Sequence, residues 1–115
     1  MEVDDASAIC SMGGYYYSGA KDLPHDHSKA IELWLRAGEL GNAAAYYNIA
    51  GSYYTGEGVE RDAMKAKYYY ELAAIGGDVS ARYNLGAIEK DDRNYDRAIK
   101  HWMISARAGH DNSLK

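Results

Sequence analysis

The segments His27-Ser28-Lys29-Ala30-Ile31-Glu32-Leu33-Trp34, Ala63-Met64-Lys65-Ala66-Lys67-Tyr68-Tyr69-Tyr70 and Tyr95-Asp96-Arg97-Ala98-Ile99-Lys100-His101-Trp102 are three copies of one pattern. In each, a basic residue precedes an alanine, and an aromatic residue (Trp34, Tyr70, Trp102) follows that alanine by four positions. Ala30, Ala66 and Ala98 are 36 and 32 residues apart. A self-similar step of that size marks a solenoid, in which one supersecondary unit stacks on the next because it cannot bury its apolar face alone. The functional question therefore becomes what lies along the surface that the stack creates.

Working outward, the second copy reads as a helical hairpin. Asn42 is a good N-cap, and Ala45, Tyr46, Ile49 and Tyr53 then recur on one face of a helix that Gly56-Glu57-Gly58 ends. Asp62 caps the second helix, whose stripe is Ala66, Tyr69, Tyr70 and Ala73 before Gly76-Gly77. The third copy repeats this with Asp78 before Ala81, Leu85 and Gly86, then Asn94 before Ala98, Trp102, Ala106 and a closing Gly109. In the first copy Asp5 precedes Ala8, Met12, Gly13 and Tyr16, ending at Gly19, and Asp26 precedes Ala30, Leu33, Trp34 and Ala37, ending at Gly41. Gly13, Ala50 and Gly86 on the first helices face Ala30, Ala66 and Ala98 on the second, small residues where two helices approach closely. The third copy lacks the Gly-x-Gly-Val turn, has Glu89 where Tyr16 and Tyr53 stand, and turns through Lys90-Asp91-Asp92-Arg93. The reading is an all-α solenoid of three antiparallel helix hairpins in a single domain, 1–115, with repeats at about 5–41, 42–77 and 78–109. Residues 110–115 resemble the start of a further, unfinished helix, which predicts an open C-terminal end.

Composition narrows the function classes. At 115 residues with net charge −4 and dispersed basic residues, the chain does not look like a nucleic-acid binder. Its two long uncharged runs, Ala6 to Ala20 and Leu40 to Gly56, are too short and polar to span a bilayer, so no membrane partner is expected. The acidic N-terminus is not a signal peptide, and the cytoplasm is the expected location. Cys10 is the single cysteine and forms no internal disulfide framework. Twelve Tyr, two Trp and no Phe imply a half-wet core, since each tyrosine hydroxyl must reach water or a partner.

The run Ile49-Ala50-x-x-Tyr53-x-x-Gly56-x-Gly58-Val59-x-x-Asp62-x-x-Lys65-Ala66, followed by Ala73-Ala74-x-x-Gly77, resembles the Sel1-like repeat, a relative of the tetratricopeptide repeat. The first copy keeps Met12-Gly13, Tyr16, Gly19, Asp26, Lys29 and Ala30; the third keeps Ala81, Leu85-Gly86, Ala98 and Gly109. The resemblance implies a right-handed α-α superhelix with first helices on the concave face and second helices on the convex face. It also implies an adaptor or scaffold role. Some secreted bacterial members of the family are linked to β-lactam chemistry, but they carry a Cys pair in each repeat, and this chain has one Cys.

With Ile49 in the core, Ala44, Asn48, Gly51, Ser52 and Thr55 rotate to the other side of their helix, with counterparts Ser11, Gly14, Tyr15 and Ser18, and Asn84, Ala87, Ile88 and Asp91. The groove residues expected to bind a partner are Ser11, Tyr15, Tyr47, Asn48, Ser52, Tyr83, Asn84 and Ile88. Asn48 and Asn84 would clamp the backbone of an extended peptide, each amide offering a donor and an acceptor, with tyrosines as rigid flanking contacts. No catalytic residue, metal site or cofactor is expected: Asp26 in His25-Asp26-His27 is better used as a cap, Cys10 has no His or Asp at a telling spacing, and no Gly-rich loop follows a strand. The expected function is a non-catalytic scaffold binding a protein or peptide along the groove. The alternative is a structural array segment that contacts neighbouring repeats, or forms a homo-oligomer, through its open end.

Overall fold

The computed structural model describes residues 5–19 and 24–107. They form six helices of 13 residues each: α1 (Ala6–Ser18), α2 (His27–Glu39), α3 (Ala43–Thr55), α4 (Ala63–Ile75), α5 (Val79–Asp91) and α6 (Tyr95–Arg107). No strand occurs among the described residues. Closing Gly109 and the 110–115 segment lie outside them.

Five of the six expected caps form. A side-chain oxygen of Asp5, Asp26, Asn42, Asp62 or Asp78 accepts a backbone N–H inside its helix, at 2.9 to 3.2 Å. Asp5 accepts two, and each of the others one, of the N–H groups that a helix start leaves without a partner. Asn94 behaves differently. Its amide nitrogen donates to Glu89 Oε1 at 3.0 Å, and only its backbone carbonyl joins α6, accepting from Ala98. At the C-terminus of α3, Gly56 takes the left-handed conformation (φ +80°) that a side chain would resist.

One closure bond recurs in every hairpin, whatever the loop length. The N–H of Asp26 donates to the Tyr16 carbonyl at 2.9 Å, that of Asp62 to Tyr53 at 2.9 Å, and that of Asn94 to Glu89 at 2.7 Å. The loop shortens in the third copy, yet the start of each second helix is pinned to the same point on its first helix. The joints between hairpins are also alike: Asn42 N–H donates to Ala37, and Asp78 N–H to Ala73, both at 3.0 Å.

Each helix packs on its neighbours in sequence, α1 on α2, α2 on α3 and so on to α6. The stack extends 45 × 31 × 24 Å. The core falls into two clusters that straddle the repeat boundaries. Ile9, Ala30, Trp34 and Ala37 join Ala45 and Ile49 of the next hairpin, while Ala50, Ala66, Tyr70, Ala73 and Ala74 join Ala81, Leu85 and Ile88. A hairpin's apolar face is thus finished by the first helix of the next one, as the solenoid argument requires.

Alanine and glycine set the helix spacing. Ala30, Ala66 and Ala98 are buried almost completely. A Cβ placed on Gly13 would stand 2.6 Å from the Trp34 ring, and Gly86 is covered by Trp102 in the same way. Each indole N–H crosses to a carbonyl three residues before its glycine, Trp34 to Cys10 and Trp102 to Tyr83, both at 3.1 Å.

The first helix corrects one expectation. Met12, expected on the core stripe with Ile49 and Leu85, is 47% exposed, and Ala8 is exposed too; Ile9 is buried instead. The counterparts Ala45 and Ile49 are covered by α2, and Ala81 and Leu85 by α4, but no described helix precedes α1.

Candidate functional site

The first helices α1 and α3 carry a run of small residues between them, Gly14 and Ser18 on one and Gly51, Ser52 and Thr55 on the other. With no bulk there, the two helices leave an open hollow of about 450 Å³. Tyr17, Trp34, Tyr47 and Tyr70 line it, with Asn48 and the turn residue Glu57. Tyr17 lies against Trp34 with ring centroids 5.2 Å apart, and Tyr47 against Tyr70 at 5.7 Å. Trp34 and Tyr70, which follow Ala30 and Ala66 by four residues, are thus both packed between helices and part of the hollow's lining.

Hydrogen bonds fix these rings. Tyr17 donates its hydroxyl to Glu57 Oε1 at 2.9 Å, from the first repeat to the turn of the second. Burial, reinforced by this bond to a carboxylate, raises the Tyr17 phenol above its ordinary value. Burial also raises Tyr70, against an opposing hydrogen bond from Asn84. Both phenols therefore stay neutral near pH 7 and remain available as hydrogen-bonding groups. Among the described residues, Glu57 is the one charged group lining the hollow.

The two asparagines expected to clamp a peptide are engaged with the preceding repeat. Asn48 Nδ2 approaches Cys10 Sγ at 3.8 Å, and Asn84 Nδ2 donates to the Tyr47 hydroxyl at 3.4 Å. Cys10 and Tyr47 occupy equivalent positions in their repeats, so the same inter-repeat tie is made twice. Burial raises the Cys10 thiol, which favours its uncharged form.

The structure brings Tyr47, Asn48 and Ser52 together at the hollow. Ser52 is only 3% exposed; its hydroxyl donates to the Asn48 carbonyl at 3.2 Å, so it is part of the wall rather than a free contact. Ser11, Tyr15 and Tyr83 are surface residues outside the hollow, although Tyr83 lies 6.0 Å from the Trp102 ring. Asn84 borders the hollow indirectly, through its bond to Tyr47. Ile88 lies outside this hollow and touches a smaller depression beside Tyr54 and Asp91. It is 6% exposed and belongs to the core with Leu85. Positions 15, 52 and 88 are equivalent, and in the second and third repeats they pack toward the repeat before them; Tyr15 has no described repeat to pack on.

The hollow also takes in Tyr17, Trp34 and Tyr70, which the expected groove set does not include, and Glu57, for which the repeat pattern carries no signal. The signal for the three aromatics is in the repeat register: Trp34 and Tyr70 share the position that defines the pattern, and Tyr17 and Tyr54 are equivalents. Among the described residues no three His, Cys, Asp or Glu side chains are grouped to hold a metal ion, and no helix is long and apolar enough to cross a membrane.

Relatives share this architecture. The chain is 34% identical over 101 residues to the ERAD-associated E3 ubiquitin-protein ligase component HRD3B of Arabidopsis thaliana, covering 87% of this chain and 16% of that protein. It is 30% identical over 112 residues to the chitin synthase regulator SKT5 of Saccharomyces cerevisiae, covering 90% of this chain and again 16% of the relative. It therefore spans about a sixth of the length of these curated relatives. Among solved structures, a Sel1 repeat protein from Oxalobacter formigenes matches with TM-score 0.83 and 32% identity over 92% of this chain and 44% of its own. A protective antigen of uropathogenic Escherichia coli strains with the same kind of fold matches with TM-score 0.85 and 28% identity, over 92% and 23%. The Sel1 repeat family model fits three times in succession, on residues 6–42, 43–78 and 79–110, and with the helical stack described above this shows that the chain belongs to the Sel1 repeat family.

Proposed function

We propose that this chain is a non-catalytic interaction module that holds a segment of a partner protein against its first-helix face, at the hollow between α1 and α3. The family supports the class of job, because Sel1 repeats generally act as protein-interaction scaffolds and two relatives are named as a ligase component and a synthase regulator. The single observation that carries the site is the hollow itself. It is an open depression of about 450 Å³ whose rings are already held by Glu57, Asn84 and each other. Pre-ordered aromatic side chains lose little entropy when a ligand docks, and they supply most of the contact area in many recognition surfaces.

The test uses a steric plug that leaves the fold intact. A Cβ on Gly14 meets nothing within 4 Å, and Gly14 lines the hollow. Gly14→Met improves helix propensity while filling the space. Peptides selected from a random library on the native chain are expected to lose at least tenfold in affinity for this variant, with its thermal midpoint unchanged or raised; a tenfold loss corresponds to about 1.4 kcal/mol. Unchanged affinity for every selected peptide contradicts the reading.

A second reading rests on α6, where Tyr95, Ile99 and Met103 recur at every fourth position and are all exposed. A stripe at that spacing fits another helix, supplied by a further repeat or a second copy. Light scattering over a concentration series tests the second copy, and a strict monomer at high concentration contradicts it.

A further inference from the structure

Of the described residues lining the hollow, Glu57 alone carries charge, and it is a carboxylate; none of them is Lys or Arg. The remaining walls are aromatic or small. This combination, ring faces beside an anion, is the chemistry that receives a cation.

The molecule seats its own cations on tyrosines elsewhere. Lys29 lies 6.0 Å from the Tyr16 ring centre, Lys65 5.3 Å from that of Tyr53, and Arg61 5.5 Å from that of Tyr54. The last case bears directly on the hollow. Tyr54 is the second-repeat counterpart of Tyr17, and its hydroxyl donates to Asp91 Oδ2 at 3.1 Å just as that of Tyr17 donates to Glu57. At that second junction the Arg61 guanidinium covers the tyrosine of the pair and donates from Nε to the Tyr54 carbonyl at 2.9 Å. At the first junction the residue in the place of Arg61 is His25. Its ring turns to His27 at 5.8 Å and lies close to Gly19. His27 in turn backs Tyr17 at 4.5 Å. Among the described residues, no side chain brings a cation to Tyr47 or Tyr70.

Resting on the interaction reading above, we infer that the hollow receives a basic side chain of the partner segment, arginine in preference to lysine, with Glu57 as counter-charge and Tyr47 and Tyr70 as ring contacts. Arginine is preferred because its planar, weakly hydrated guanidinium stacks on rings and can meet the carboxylate oxygen that Tyr17 leaves open. An acidic or phosphorylated segment would face the Glu57 charge with no compensating cation among the described lining residues.

The experiment reads the peptides selected on the native chain and then crosses two substitutions. Glu57→Gln keeps an oxygen for Tyr17 but removes the charge; Glu57 is on the surface, so the fold is retained, as circular dichroism would verify. In the peptide, citrulline replaces the enriched arginine at nearly constant shape. The expected result is enrichment of one basic position, a loss of about three- to tenfold for either change alone, and little further loss for both together. Enriched peptides without a basic residue, or fully additive losses, overturn the inference. Such peptides would still fail to bind Gly14→Met if the hollow is the interaction site, so the two readings fail separately.

Discussion

Glycine at 13 and 86 is a matter of space, and Gly14 provides the control beside it. A Cβ on Gly13 or Gly86 runs into an indole that is itself tied to the first helix by its N–H, so the ring cannot swing away without losing that bond. Gly86→Ala is expected to destabilise by about 1–3 kcal/mol, the usual cost of overpacking a fitted contact. Gly14→Ala is expected to stabilise by about 0.5–1 kcal/mol, because its Cβ meets open space and alanine is the better helix former. Urea unfolding of the two variants checks the pair, and a destabilised Gly14→Ala or a neutral Gly86→Ala contradicts it. The sequence made the small residues legible through their pairing with Ala30, Ala66 and Ala98. It did not show which direction each ring took, and so the second role of Trp34 and Tyr70, as lining of the hollow, was hidden.

The third hairpin replaces a tyrosine and a capping side chain with an ionic cluster. Glu89, 3% exposed, accepts from Lys67 of α4 at 3.1 Å and from Asn94 at 3.0 Å, while Arg97 and His101 of α6 also act on this region. Burial alone would raise the Glu89 carboxyl, but Lys67, Asn94 and Arg97 outweigh it and hold it below the usual carboxylate value. A lowered carboxylate contributes stability above its unfolded pKa and loses it as pH falls through the folded one. His101 acts in the same direction. Burial first, then Arg82, lowers its pKa, and its Nδ1 is buried without a hydrogen-bond partner, so protonation on acidification opposes the fold. The third hairpin should therefore weaken in acid, first as the pH falls below the ordinary histidine range and again as it falls through and below the ordinary carboxylate range, where Glu89 protonates. Glu89→Gln should cost about 1–3 kcal/mol at pH 7, the scale of a lost charged hydrogen bond. That gap should narrow at pH 3, as read by thermal melts at both values; an equal gap contradicts the ionic account. Helix number, order and five of six caps were readable because cap chemistry and period are local. The use of Asn94 was not, because its partner is set by the shortened loop, which brings Glu89 within reach.

At the scale of the whole stack, equivalent positions do equivalent jobs where the described residues include a preceding repeat. Met12, Ala8 and Tyr15 are exposed while their counterparts Ile49, Ala45 and Ser52 are buried, since the later positions meet a neighbour. Register within a repeat was legible from period alone. Burial across repeats was not, and for that reason Ile88, expected at the groove, is instead 6% exposed and packed with Leu85. The hollow belongs to this scale too, since neither α1 nor α3 forms it alone. The most direct measurement of the central claim is an amide chemical-shift map of the native chain titrated with a selected peptide. The account predicts shifts concentrated at Gly14, Tyr17, Tyr47, Asn48, Gly51 and Thr55, with the Trp34 indole moving with them. Shifts concentrated on the outer faces of α2 and α4, with these residues still, would contradict it.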